Sequence, residues 1–105
     1  MTMAQKTIAG KTIEVNDEGY MVDPSQWNRE IAAEMAREDG IELTEKHYEV
    51  LEFLRESSAK GETLTIRKVG KSGITDIKGL YQLFPGGPLK LSSKYAGIQK
   101  PASCV

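Results

Sequence analysis

The chain has 105 residues, 39% hydrophobic and 28% charged, with a formal net charge of −1, which bounds it to one domain with a modest core and little room for a deep substrate cavity. It has no apolar run long enough to span a membrane, and Met1–Gly10 lacks the charged-then-apolar pattern of a signal peptide. One cysteine, Cys104, excludes an internal disulfide, and with one histidine it is too little for a structural zinc site, so the cytoplasm is the expected compartment.

In chain order, Lys6–Val15 reads as two short β-branched strands about Gly10, a hairpin by its turn chemistry, and Asn16–Gly19 as a turn. Asp23 before Pro24 is an N-cap with proline at the first helical position. Trp27, Ile31 and Met35 recur every fourth residue, which predicts an amphipathic helix over 24–39 stopped by Gly40. Thr44 caps a second helix running to about Lys60, with His47, Val50, Leu51 and Leu54 inward, and Gly61 ends it. Thr63–Ile66 has strand propensity, yet Arg67, Lys68 and Val69 can extend a short helix. Thr75 is the expected cap of a helix carrying Ile77, Leu80, Tyr81 and Phe84, which Pro85-Gly-Gly-Pro88 breaks. A last helix, Leu89–Ala96, is capped by Gly97. The expected fold is therefore mainly α with a small N-terminal β-hairpin (α+β). A globular helical domain over 1–97 contains a helix-turn-helix-like pair, and a flexible C-terminal arm over 98–105 carries the cysteine.

Charge is polarised along the chain. Residues 1–59 hold thirteen acids against six Lys/Arg, a balance of −7; residues 60–105 hold eight Lys/Arg against Glu62 and Asp76, a balance of +6. That asymmetry fits a basic docking face for nucleic acid or an acidic protein, and equally two halves attracting each other within one fold.

Several motifs carry no chemistry. Gly70-Lys71-Ser72 resembles the end of a phosphate-binding loop, but Thr65 stands where the first glycine belongs. His47 is the one side chain titrating near neutrality, and its place in the first turn of an amphipathic helix reads as structural. The carboxylates of 34–56 are spread over helix faces, with Glu52 and Arg55 at pairing distance. Residues 64–84 have the outline of a DNA-binding helix-turn-helix, with Arg67, Lys68, Lys71 and Lys78 as phosphate contacts; Asp76 in the first turn of the second helix opposes it. Specific nucleic-acid binding is accordingly not expected.

Cys104 stands apart. It is the penultimate residue, beside Pro101, Ala102 and Ser103. A thiol on a tether of about seven residues can reach ~20 Å into another protein. The terminal carboxylate opposes thiolate formation, so activation falls to a partner's positive groups, or to Lys100 if the arm folds back. Arg67 and Lys100 are the expected arm or docking contacts.

Leu80-Tyr-Gln-Leu-Phe-Pro-Gly-Gly-Pro88, Lys90, Ala96-Gly97 and Lys100-Pro101 ending in Cys104-Val105 resemble the family that joins TusE with the gamma protein of dissimilatory sulfite reductase, DsrC. Gly19-Tyr20, Trp27, Leu43-Thr44, His47 and Arg67 extend the resemblance over nearly the whole chain. The resemblance implies a sulfur carrier, a sulfurtransferase-type protein and not a self-contained enzyme, with Cys104 as persulfide acceptor and with no cofactor or metal. It implies as partners a sulfur-relay donor complex and a tRNA-thiolating enzyme that modifies the wobble uridine. The alternatives are association with sulfite reductase subunits in the DsrC manner, or DNA-binding regulation. The DsrC branch has a second cysteine eleven positions upstream, where this chain has Ser93. A hydroxyl cannot hold a trisulfide, so the single-thiol, TusE-like mode is expected.

Overall fold

Alternation of β-branched residues with polar ones builds the N-terminal hairpin. This computed structural model describes residues 3–100, with side chains from Gln5 onward. Strand β1 (Met3–Ile8) pairs antiparallel with β2 (Lys11–Asn16), from Met3 opposite Asn16 to Ile8 opposite Lys11. Ala9 and Gly10 close it with φ of 52° and 79°, the two positive values of a type I′ turn whose twist matches the strands. That register puts Ile8, Ile13 and Val15 on one face, and all three are buried.

The helix expected over 24–39 is two elements. Asp23 caps only a 3-10 turn, Pro24–Gln26, and the chain is extended at Trp27. Asn28 then restarts it: its side chain accepts a bond from the Ile31 amide at 2.8 Å, and α1 runs Arg29–Glu38. Two short polar side chains that each satisfy orphan amides thus interrupt one apolar periodicity. Helix α2 (Glu45–Ala59) follows the expected course and buries His47, Val50, Leu51 and Leu54.

Ile66–Gly70 is helix α3, so the strand propensity of the preceding threonines is not realised; Thr65 instead caps α3 by accepting from the Lys68 amide. Helix α4 (Ile77–Leu83) is capped by Asp76, whose carboxylate accepts from the Gly79 amide at 2.7 Å, and not by Thr75. Pro88 opens α5 (Pro88–Tyr95) at its first turn. Helices α3 and α4 pack on each other, α5 lies against α1, α2 and α4, and the hairpin rests on α1. Leu89, Tyr95 and Ala96 are wholly buried, which makes α5 the centre of the core. The expected helical class with an N-terminal hairpin is what forms. Among the described residues no helix is long and apolar enough to cross a membrane.

Candidate functional site: the root of the C-terminal arm

The end of α5 sets the course of residues 96–100, the described stretch that leads toward Cys104 in the chain and is called here the arm root. Ser92 and Ser93 are both buried there. The Ser92 hydroxyl donates to the Pro88 carbonyl at 2.5 Å, while the Ser93 hydroxyl has no hydrogen-bond partner among the described residues. After Ala96 the chain turns at Gly97, φ +71°, and the Ile98 amide bonds back to the Ser93 carbonyl at 3.3 Å. A Cβ on Gly97 would lie 2.7 Å from Trp27 Cδ1 and 2.9 Å from Met21 Sδ. Only glycine meets both the left-handed backbone and this close approach.

Two side chains clamp this turn. Trp27 Nε1 donates to the Tyr95 carbonyl at 2.6 Å, and Arg55 donates to the Ala96 carbonyl at 2.9 Å and the Pro24 carbonyl at 3.1 Å. The Arg55 guanidinium sits 4.4 Å from the Trp27 ring centroid, a cation–π contact in a partly dry site. Burial lowers its pKa from the ordinary arginine value, and carbonyl dipoles, not a carboxylate, compensate the charge. The expected pairing of Arg55 with Glu52 does not form, because Glu52 binds Arg29 at 2.7 Å. Sequence reasoning missed Arg55 as an organiser of the arm root: no spacing rule links it to carbonyls 31 and 41 residues away.

Ile98, assigned to the arm on sequence, is 3% exposed and belongs to the core cluster. Gln99 and Lys100 emerge into solvent, and Lys100 Nζ bonds Glu18 at 2.7 Å. Beside them lies a groove of about 180 Å³ lined by Ser58, Glu62, Thr63 and Leu64 with Ile98–Lys100. The Lys68 ammonium, 2.7 Å from Glu62, lowers the pKa of that carboxyl. Arg67 is exposed on α3 and makes no ion pair among the described residues, so the two expected docking contacts occupy different settings. Cys104 and the rest of 101–105 lie outside the described residues.

His47 is structural, as its position suggested. Its Nδ1 accepts from the Thr44 amide at 3.0 Å, which leaves the proton on Nε2 to donate to the Leu83 carbonyl at 2.8 Å. The Phe84 ring meets it edge-on at 5.1 Å. The imidazole therefore ties α2 to the end of α4, with both nitrogens occupied.

Comparisons with known proteins converge on one group. The family model described as "DsrC like protein" matches residues 7–105. Proteins named sulfurtransferase TusE from Escherichia coli (strain K12) and Salmonella typhimurium are each 38% identical over 104 aligned residues, covering 91% of this chain and 95% of the relative. The solution structure of Allochromatium vinosum DsrC superposes with a TM-score of 0.80 at 34% identity, covering 99% of this chain and all of that one. The crystal structure of the oxidized gamma-subunit of dissimilatory sulfite reductase (DsrC) from Archaeoglobus fulgidus gives 0.81 at 28% identity, covering 97% of this chain and 100% of that one.

Proposed function

We propose that this chain, which belongs to the DsrC-like protein family, is a single-thiol sulfur carrier working through Cys104. The observation that carries the reading is the lone cysteine: Ser93 stands where a two-thiol relative has its second, and Cys104 is the chain's one sulfur nucleophile. The Cys104 thiolate attacks the outer sulfur of a donor persulfide. The donor's S–S bond breaks, the donor leaves as a thiolate, and Cys104 holds the sulfur as a persulfide. An acceptor thiolate then attacks that outer sulfur and Cys104 departs as thiolate, so the relay involves no net oxidation or reduction. The name of the TusE relatives supports a sulfurtransferase role; a sulfur-relay complex as donor and a tRNA-thiolating enzyme as acceptor are what the family resemblance implies.

At the arm root, Trp27, Arg55 and Gly97 hold the backbone of residues 95–97 in place, with six residues between Gly97 and Cys104 in the chain.

The test is intact mass. Wild-type protein incubated with a persulfide donor of the relay gains about 32 Da, one sulfur, and loses it to an acceptor thiol. Cys104→Ala gains nothing while melting at the wild-type temperature. A wild-type protein that takes no sulfur from desulfurase or relay donors overturns the reading.

A further inference from the structure

The geometry points to a docking face on α3 and α4 for an acidic, amphipathic protein segment, centred on Ile77 and Tyr81 and flanked by Arg67, Lys71 and Lys78. Ile77 and Tyr81 are 45% and 46% exposed, two of the three large hydrophobic side chains so exposed among the described residues. They stand one turn apart on α4 and so share a face, with Lys78 between them in sequence. Ile77 also packs on α3: a Cβ on Gly70 would lie 2.9 Å from Ile77 Cγ1. Arg67 and Lys71, one turn apart on α3 and at its C-cap, lie either side of Gly70, the residue Ile77 packs against. An apolar centre with a charged rim is the anatomy of a protein interface.

Charge complementarity identifies the occupant. Eight of the fourteen Lys/Arg are already paired: Lys6 with Glu38, Arg29 with Glu52, Arg37 with Glu34, Lys46 with Glu49, Lys60 with Glu56, Lys68 with Glu62, Lys94 with Asp39 and Lys100 with Glu18. Arg67, Lys71 and Lys78 have no ion pair among the described residues, as is also true of Lys11 and Lys90 elsewhere; of the two carboxylates near them in sequence, Glu62 binds Lys68 and Asp76 caps α4. Exposed and unpaired, these three charges are available to an acidic partner. A second copy is a poor source, because much of its acidic half is spent in the same internal pairs. Nucleic acid is opposed by Asp76, whose carboxylate sits at the α4 N-terminus where a phosphate would bind, and by the apolar centre, which offers a backbone phosphate nothing.

The face rests on the carrier reading only for the partner's purpose, as a donor or acceptor of sulfur, and its binding is read without sulfur. Isotope-labelled Cys104→Ala protein is titrated with a helical peptide carrying Leu and Phe on one face and Glu and Asp around them. Poly-glutamate, the same peptide with Lys for its acids, and a short DNA duplex serve as the other probes. The acidic amphipathic peptide should shift amides of residues 66–82 and bind about tenfold or more tighter than the other three. Ile77→Ser with Tyr81→Ser, and separately Lys71→Glu with Lys78→Glu, should each weaken it about tenfold in protein whose amide spectrum remains that of a folded chain, the first pair melting somewhat lower because Ile77 also packs on α3. Equal binding of poly-glutamate or DNA, shifts centred elsewhere, no binding, or a dimer of the free protein that the Ile77/Tyr81 changes abolish would each overturn the proposal. None of these outcomes bears on whether Cys104 takes up sulfur.

Discussion

Ser92 and Ser93 are adjacent on α5 and equally hidden, but only one hydroxyl is satisfied. A buried hydroxyl without a partner forfeits its hydration and gains nothing in return, whereas a bonded one contributes about 1 kcal/mol. Ser93→Ala should therefore leave stability unchanged or raise it by up to about 1 kcal/mol, and Ser92→Ala should lower it by about 1 kcal/mol, both read from urea unfolding. On the single-thiol reading Ser93→Ala also takes up sulfur at the wild-type rate, since the hydroxyl has no redox chemistry to lose. A Ser93→Ala protein that folds well but accepts no sulfur would give this side chain a part in the chemistry. A small, weakly polar thiol would fit this apolar site better than the hydroxyl does.

Among the elements, the turn after α5 is the most constrained. Gly97 combines a positive φ with contacts to Trp27 and Met21 that leave no space for a methyl group. Gly97→Ala adds backbone strain of about 1–2 kcal/mol and overpacking of about 1–3 kcal/mol, so a loss of roughly 2–5 kcal/mol is expected. Trp27 is the chain's one tryptophan, so a change in its fluorescence in the folded variant reports the displaced arm root directly. Unchanged fluorescence and stability would mean that the turn relaxes freely and does not fix the arm's origin. The split between the 3-10 turn and α1 serves the same end. Extended backbone at Trp27 lets its indole reach the Tyr95 carbonyl, a contact that a continuous helix over 24–39 would redirect.

Across the whole molecule, Tyr95 joins the last helix to the end of α1, its hydroxyl donating to Asp39 at 2.7 Å. Burial first, then the hydrogen bond and charge of Asp39, push its phenol well above the ordinary value. A raised folded-state pKa favours the neutral form, so this contribution to stability is complete below pH ~10, where the unfolded phenol is also neutral. It declines as pH rises past ~10 because the unfolded chain then ionises while the folded one does not. Tyr95→Phe should be less stable at neutral pH by about 1.5–3 kcal/mol, the worth of a hydrogen bond to a charged group. Its stability should nonetheless fall less steeply than wild type between about pH 10 and 11 in urea titrations. Identical slopes would show that Tyr95 is free to ionise in the folded state.

What the sequence by itself determined is what local chemistry encodes. Turn chemistry at Gly10 located the hairpin, Thr44 and Gly61 bounded α2, Pro88 and Gly97 bounded α5, and the motifs from Leu80 to Val105 pointed to the family. These signals lie within a few residues of the features they specify. Where two local signals competed, the tertiary structure chose: Asn28 over an unbroken apolar repeat, Asp76 over Thr75, and helix over strand at Ile66. Each choice turned on which side-chain oxygen reached a free amide once the helices were packed. The charge polarity was legible as a sum, but only the folded chain decided which cations are paired internally and that Arg67, Lys71 and Lys78 are among those that are not. The clamp of Arg55 and Trp27 on the arm root was legible nowhere, because side chains bonding distant carbonyls leave no spacing, period or composition in the chain.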